Sequence, residues 1–189
     1  MQFNDHRKLR GQHAFLSASN YSWLNYSDEK LEQRWESLQA VERGTRLHEY
    51  AAQAIELGIT QKKTKQTLNM YINDAIGFRM SPEQVLYFSE NCFGTADAIS
   101  FRKEKENGET LRIHDLKTGE LPAKMEQLKI YAALFFLEYG IKPGEIFTEL
   151  RIYQSCDINI FNPTPEDILP IMDKIQRFDK IINRIKDGG

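Results

Sequence analysis

The sequence predicts an α/β (α+β) domain in which a mixed β-sheet is flanked by helices. Apolar side chains recur at helical spacing through residues 28–57 and 62–77, whereas three short β-rich runs follow them. A further helix, strand and helix complete the order α, α, β, β, β, α, β, α. Strands interleaved with helices in this way are typical of a sheet covered by helices.

Local signals place the ends of the predicted helices. Gly44 is expected to break the segment 28–57 into two helices, and Gly58 to cap its end. A strong helix follows between Pro122, near its first turn, and Gly140, at its end. Thr164 begins an amphipathic helix that runs toward the C-terminus.

The strands are predicted from β-rich runs bounded by turn residues. They cover Val85–Phe88, Gly94–Arg102 and Thr110–Lys117, and a fourth covers 145–154. The Asn-Gly step at 107–108 predicts a hairpin between the second and third strands.

Length and charge favour one ordinary globular domain. The chain has 189 residues and a net charge of −2, which excludes a histone-like polyanion binder but leaves room for a local basic patch. We predict a single domain over 1–189. It comprises an irregular and helical N-terminal segment at 1–40, a core at 41–155 and a C-terminal helix at 156–189.

The cysteine count and the N-terminus limit the compartment and the cofactors. The only cysteines are Cys92 and Cys156, which excludes a disulfide framework and a four-cysteine zinc or iron–sulfur site. No run reaches the roughly 18 apolar residues that span a membrane, and the first residues lack a signal-peptide core. We therefore expect a cytoplasmic protein without a membrane partner.

Asp115 and Lys117 are the first candidate catalytic pair. Residues i and i+2 of a strand project from the same face, so a carboxylate and an ammonium group stand side by side. The carboxylate can hold a hard divalent cation, and the lysine can orient water or stabilise negative charge. Phosphodiester hydrolysis needs this pair of groups, although an ion pair at the sheet edge is an alternative reading.

Asp97 strengthens this interpretation because it lies between Ala96 and Ala98 in an otherwise small and apolar strand. An unpaired buried carboxylate costs several kcal/mol, so a metal shared with Asp115 would explain it. The alternatives are an exposed strand face and a buried bond to the backbone. Gly94 is expected to let a ligand or phosphate approach the backbone closely.

Helical residues complete the candidate site. His48 lies one turn after Gly44, and its imidazole is a plausible further ligand, especially for manganese. Gln127 and Tyr131 are four residues apart and share a helix face, from which both can hydrogen-bond phosphate, water or the lysine. A structural histidine and a simply packed tyrosine are the alternatives.

The remaining polar residues are weaker candidates. His114 should point away from its neighbours Asp115 and Lys117, which favours a structural role, and His6 and His13 are interpreted as surface residues. Basic residues that could border a nucleic-acid track are interpreted as solvated faces: Lys62, Lys63, Lys65, Arg102, Lys103 and Lys105.

Four motifs, taken in order, carry a family resemblance: GTRLH at 44–48, GTAD at 94–97, DLKTG at 115–119 and QLKIY at 127–131. Together they resemble the PD-(D/E)XK nuclease superfamily. In particular they resemble its RecB-like branch, which includes CRISPR-associated adaptation exonucleases and many phage exonucleases. The segment HAFLSASNYSWLN is similar to the start of phage and prophage members, so the resemblance covers about residues 13–155.

The resemblance implies a restriction-endonuclease-like αβββαβ core around a metal site. It makes His48, Asp97 and Asp115 ligands of Mg²⁺ or Mn²⁺, together with the backbone carbonyl of Leu116. Lys117 becomes the catalytic lysine, and Gln127 and Tyr131 match the motif that positions substrate or lysine. Glu83 is a poor match to an auxiliary acidic position. The cysteines of iron–sulfur members are missing, so no iron–sulfur cluster is expected.

The function implied is that of a metal-dependent DNA nuclease, an exonuclease in phage or prophage recombination or DNA processing. Its partners would be single- or double-stranded DNA and a separate helicase or recombination protein. The alternatives are a non-cleaving nucleic-acid-binding module on the same fold, a structure-selective endonuclease and a phage protein that inhibits a host nuclease by mimicry.

Overall fold

The computed structural model describes Lys8 and residues 14–188. His6 and His13 lie outside these residues. Within the described part, the chain divides into two compact units, one ending at Arg43 and the other beginning at Gly44. In the first unit a short 3₁₀ segment occupies Ala18–Asn25, and the Phe15 and Trp35 rings meet edge to face with centroids 5.3 Å apart.

Helix α1 spans Asp28–Glu56 without interruption, so the predicted break at Gly44 is wrong. One glycine within a helix costs only about 1 kcal/mol relative to alanine, too little to end a helix of this length. The lack of a side chain at Gly44 instead allows α1 to lie close to Thr118. A Cβ atom on it would lie 2.9 Å from Thr118 Oγ1, at the end of the third strand.

A five-stranded mixed sheet forms the centre of the second unit, in the order β1-β2-β3-β4-β5. Only β3 and β4 pair in parallel; the other neighbours are antiparallel. The α/β class with a mixed sheet is thus confirmed. The strands are β1 Ser81–Ser89, β2 Cys92–Glu104, β3 Gly108–Leu116, β4 Phe147–Gln154 and β5 Asp157–Phe161.

Strand β5 was not expected from the sequence. It pairs with β4 through a two-residue turn, because Gln154 lies opposite Asp157. Both turn residues, Ser155 and Cys156, have left-handed backbones, with φ of 51° and 61°. Such turns usually carry Asn-Gly or a related pair, so Ser-Cys gives no sequence signal for the hairpin.

The other helices are α2 Thr67–Gly77, α3 Glu126–Tyr139 and α4 Pro165–Lys186. Gly140 ends α3 with a left-handed backbone, as the sequence predicts. Thr164 caps α4 in a capping box with Asp167, which satisfies amide groups at the start of that helix.

Two apolar cores cover the two faces of the sheet. On one face the buried residues of α3 pack on β1–β4, and Ile168 of α4 joins them. On the other face α2 and the last turns of α1 pack against residues that include Ala98, Leu116 and Tyr153. The sheet therefore has helices on both faces, and the ends of its central strands lie between the two cores.

His114 points into the α2 face, away from Asp115 and Lys117, as predicted. Its ring is fully buried, and its Nδ1 lies 3.3 Å from the Tyr153 hydroxyl, which donates to Asp74 Oδ2 at 2.7 Å. Burial, followed by the charges of Arg151 and Arg112, holds the pKa of His114 well below its usual value. This histidine is a neutral element of the core.

The described part of the chain contains no helix long and apolar enough to cross a membrane. Cys92 and Cys156 are both free thiols. Cys92 is half-buried in β2, whereas Cys156 is exposed in the turn after β4, so the two do not form a cluster.

The α3 core generates a prediction about stability. Leu128 is fully buried, so Leu128→Ala should lower the free energy of unfolding by about 2–5 kcal/mol through lost burial and the cavity left behind. Urea denaturation followed by circular dichroism measures this. Ile130→Ala, on the exposed side of the same helix, is the control and should cost under about 1 kcal/mol. Equal losses would show that α3 packs through a different face.

Candidate metal centre and lysine site

Three carboxylates occupy equivalent positions on three adjacent strands. Pro82 pairs with Ala98 and Gln84 with Ala96, so Glu83 of β1 lies opposite Asp97 of β2. Ala98 in turn pairs with His114, so the next position on each strand carries Asp97 and Asp115. The antiparallel register thus aligns acidic residues that are separated by 14 and 18 positions in the sequence.

Strands β2 and β3 separate at this row. Their last pair in this direction is Ala98 with His114, and beyond it the Asp97 carboxylate replaces the backbone as acceptor. Asp97 Oδ2 accepts the Leu116 N–H at 2.9 Å. A side chain inserted in this way holds the two strands apart, while the Leu116 amide remains satisfied.

His48 reaches the row from α1. Its Nδ1 lies 3.3 Å from Asp97 Oδ2, close enough for an ion pair when the imidazole is protonated. Gly44, one turn earlier, lets α1 approach Thr118 at the end of β3. The predicted proximity of His48 and Asp97 is therefore present in the structure.

Glu83 completes a group that could bind a metal ion. Ligand atoms of His48, Glu83 and Asp97 all lie within 4.8 Å of one another. Among the described residues, no other group of three or more His, Cys, Asp or Glu side chains does this. Glu83 also has a left-handed backbone with φ of 48°, a conformation that non-glycine residues adopt rarely and that is often found at functional sites.

Asp115 is a buried carboxylate paired with Lys117. It is 1% exposed, and Lys117 Nζ lies 2.9 Å from its Oδ2. Neither of its oxygens accepts a hydrogen bond of regular geometry. Within the described part of the chain the Oδ1 atom therefore has no hydrogen-bond partner, an expensive state for a buried anion.

Burial and nearby negative charge raise the pKa of several acidic groups at this site. Burial, and then the charge of Asp97, raise the pKa of Asp115 to about 6, although Lys117 and His48 oppose the shift. Burial and Asp97 also raise the pKa of Glu83. Tyr71 of α2 is affected as well: burial raises its pKa, and the charges of Asp97, Glu83 and Asp115 add to the effect. Negative charge is therefore concentrated here.

A chain of side-chain hydrogen bonds connects Lys117 to α3. Lys117 Nζ donates to Gln127 Oε1 at 2.8 Å, and Gln127 Nε2 donates to the Tyr131 hydroxyl at 3.0 Å. The predicted shared face of Gln127 and Tyr131 thus contacts the lysine directly. With Asp115 and Gln127 as partners, the ammonium group retains one of its three N–H donors for a further acceptor.

The structure gives a different reason for Gly94 than the sequence suggested. A Cβ atom at this position would lie 2.9 Å from Tyr131 Cε1, so the tyrosine ring occupies the space expected for a ligand. The absent side chain therefore lets α3 bring Tyr131, and with it Gln127, close to the sheet.

Gln154, which the sequence did not single out, holds the loop after Lys117. Its Nε2 donates to the carbonyls of Gly119 and Leu121 at 2.6 and 2.8 Å, and its Oε1 accepts the Ala123 N–H at 2.9 Å. One amide side chain thus fixes the segment that joins β3 to α3. No sequence signal identifies it, since an isolated glutamine at a strand end has many possible roles.

The residues present suit a hard divalent cation. Carboxylate oxygens with one imidazole nitrogen are donors that Mn²⁺ accepts, and carboxylates with water suit Mg²⁺. The positive charge of a cation in this acidic group would also favour the ionised form of the nearby Asp115 and so lower its raised pKa. On both observations, the site fits a metal.

The structure brings the predicted site residues together and adds Glu83 to them. His48 and Asp97 are in contact, and Asp115, Lys117, Gln127 and Tyr131 form one connected chain. Glu83, rated a poor match from the sequence, belongs to the compact group. Leu116 contacts Asp97 through its backbone N–H, and a ligand role for its carbonyl stays a prediction.

Comparisons with family models, curated proteins and solved structures find no match to this chain.

The Asp115 pKa generates a prediction about pH. In EDTA, the folded state retains a proton between pH 3.8 and about 6 that the unfolded state has released. The free energy of unfolding therefore falls as pH rises through this window, and the full penalty, about 3 kcal/mol, is present above it.

Asp115→Asn should remove this penalty, so the variant should be more stable than the wild type above pH 6 and equally stable below pH 3.8. Urea denaturation across this range measures both. Glu109→Gln, which alters an exposed carboxylate of the same strand, is the control. Parallel pH profiles for the wild type and Asp115→Asn would contradict the assignment.

Metal binding generates a second prediction. Mn²⁺ added to EDTA-treated protein should raise the melting temperature, since a ligand at a hundred times its Kd stabilises by about 2.7 kcal/mol. Asp97→Asn keeps an acceptor for the Leu116 amide but loses the charge, so it should abolish most of the shift, as should His48→Ala. Glu109→Gln should retain the shift. If Mn²⁺ raised the melting temperature of Asp97→Asn as much as that of the wild type, the metal would bind elsewhere.

Proposed function

We propose that the protein is a metal-dependent DNA nuclease that hydrolyses phosphodiester bonds. The observation that carries the proposal is the position of Lys117. Its ammonium group is held 2.9 Å from the buried Asp115 and 2.8 Å from Gln127, next to the row that contains Asp97 and Glu83. A cation-binding group beside a fixed lysine is what phosphoryl-group hydrolysis requires.

The order of elements supports a restriction-endonuclease-like core. With α2 as an insertion, α1, β1, β2, β3, α3 and β4 follow one another as α, β, β, β, α, β. The metal-binding residues lie on the first four of these elements, and the lysine-positioning residues lie on α3. The proposal thus assigns each motif to the element on which the resemblance requires it.

The metal would be held by His48, Glu83 and Asp97, with Asp115 adjacent. Mg²⁺ or Mn²⁺ bound there supplies Lewis acidity toward a phosphoryl oxygen and neutralises developing negative charge. The protein contributes the geometry: α1 supplies the imidazole, and the pairing of β1 with β2 aligns the carboxylates of Glu83 and Asp97.

Lys117 would act on the substrate directly. Its remaining N–H can orient the attacking water or donate to a phosphoryl oxygen as charge accumulates, which stabilises the transition state more than the ground state. Gln127 and Tyr131 act through the lysine. They hold its Nζ in one position, so that no side-chain reorganisation is needed during the reaction.

We further propose that the enzyme is an exonuclease of phage or prophage recombination or DNA processing and works in the cytoplasm. DNA, either single- or double-stranded, is its substrate. A separate helicase or recombination protein is its partner, since the sequence carries no GxxxxGK[ST] motif for a motor of its own.

The decisive experiment compares end-labelled linear DNA with a covalently closed circle, in Mg²⁺, Mn²⁺ or EDTA. Metal-dependent loss of linear DNA alone supports the exonuclease, and the position of the lost label gives its polarity. Cleavage of the circle would show an endonuclease. Absence of cleavage by folded protein in every condition would leave a nucleic-acid-binding module on the same scaffold.

Variants of the lysine chain test the roles within the site. Lys117→Ala and Asp115→Ala should each lower kcat by at least about 100-fold, as loss of a positioned charge does, with the fold intact by circular dichroism. Gln127→Ala should lower kcat by about tenfold with little change in KM, because it only loosens the lysine.

Lys105→Ala, in the exposed turn between β2 and β3, is the matched control and should retain wild-type kcat. Cleavage at the wild-type rate by Lys117→Ala would exclude this lysine from the chemistry.

A further inference from the structure

Among the residues that the structure describes, no helix covers one face of the hairpin of β1 and β2. Leu86, Phe88 and Ala96 belong to the α3 core, so the alternate side chains project the other way. On that side, Val85 pairs with Thr95 and Tyr87 with Phe93. The exposed fractions are 48% for Val85, 42% for Tyr87 and 61% for Phe93, values that are high for residues of this size within strands.

The two aromatic rings form a nearly parallel pair. Their ring centroids are 6.4 Å apart and their planes differ by 26°, a stacked arrangement. The Tyr87 hydroxyl donates to Glu90 at 3.1 Å, and the Tyr87 backbone N–H donates to Glu138 at 2.8 Å. These bonds hold the tyrosine in place without covering its ring.

The ring pair lies on the same two strands as the candidate metal centre. The same register that pairs Tyr87 with Phe93 places Glu83 opposite Asp97, four positions along each strand. At 3.3–3.4 Å per residue the separation is about 13 Å. A nucleic-acid strand with bases stacked at 3.4 Å per step would cover it in about four nucleotides.

The chemistry of the surroundings favours bases over phosphates or protein as the occupant. Glu90, Glu138 and Asp179 lie around the hairpin tip, so a DNA strand on this face would turn its phosphates away from these charges and its bases toward the rings. Two rings and a valine also offer far less area than the roughly 800 Å² that each partner contributes to a stable protein interface. Aromatic faces bind unpaired bases with little sequence preference.

We propose that Tyr87 and Phe93 form a stacking platform for unpaired bases of a DNA strand whose phosphodiester backbone enters the group of His48, Glu83 and Asp97. The platform makes a single-stranded segment the substrate form that this site binds. The inference rests on the proposed function for the identity of the polymer, and on the exposed ring pair for the mode of contact.

The test separates base contacts from all other contacts. A fluorescent oligothymidylate and an abasic strand of the same length are bound to the protein in EDTA, and anisotropy gives each Kd. Wild type should bind the oligothymidylate at least about tenfold more tightly than the abasic strand, as stacking of one base would give. Tyr87→Ala and Phe93→Ala should each lose most of this preference, while their affinity for the abasic strand stays unchanged.

Two controls make the result specific. Tyr87→Phe keeps the ring and should restore the preference for bases. Phe178→Ala removes an aromatic side chain of similar exposure on α4, and should behave as wild type. Equal Kd values for wild type and both alanine variants, or equal losses toward both strands, would overturn the platform. A wild-type dimer that Tyr87→Ala dissociates would overturn it in favour of self-association.

Hydrolysis of thymidine 5′-(p-nitrophenyl phosphate) distinguishes failure of the platform from failure of the nuclease proposal. This small diester is too short to reach from the metal centre to the ring pair. Tyr87→Ala should hydrolyse it at the wild-type rate. If folded wild type hydrolyses neither the diester nor DNA, the nuclease proposal fails. A base preference that depends on Tyr87 would still support the platform.

Discussion

The hydrogen bond from the Leu116 amide to the Asp97 carboxylate is the contact on which the candidate site depends. In a regular antiparallel pair, this amide would bond to the backbone of β2. The side chain takes that role at 2.9 Å, and the regular pairing of β2 with β3 ends at the row of carboxylates. His48 can then reach Asp97 from α1, while Lys117 extends toward α3. The bond between Asp97 and Leu116 thus lies between the contact of the sheet with α1 and its contact with α3.

The site concentrates unfavourable electrostatics that the rest of the fold must offset. Asp115 is buried beside other carboxylates, and Glu83 adopts a rare backbone conformation. Two apolar cores, one against each face of the sheet, hold these residues where isolated strands would not. Such concentrations of strain and perturbed titration are typical of sites that bind ligands, because the ligand supplies the missing stabilisation.

Local periodicity explains what could be predicted from the sequence. Asp115 lies in β3, and Lys117 directly follows the strand with its backbone N–H still bonded to Tyr153 of β4. Gln127 and Tyr131 lie four apart in a helix, so the shared face of each pair follows from backbone geometry. The role of Glu83 depends on the pairing of β1 with β2 and on a left-handed residue, neither of which a local pattern encodes. Gln154 and Tyr71 join the site through tertiary contacts. The sequence predicts a close approach to the backbone at Gly94, and the structure has one. The approaching group is the ring of Tyr131 and not the expected ligand or phosphate.

The left-handed backbone of Glu83 has an evolutionary consequence. Glycine and asparagine adopt this conformation at little cost, so either residue would relieve the strain that glutamate tolerates. Under the proposed function, selection for a charged metal ligand would maintain glutamate here. In a lineage that lost the proposed metal site but kept the scaffold, drift at position 83 would run toward glycine or asparagine, and the residue found there would record whether the site was retained.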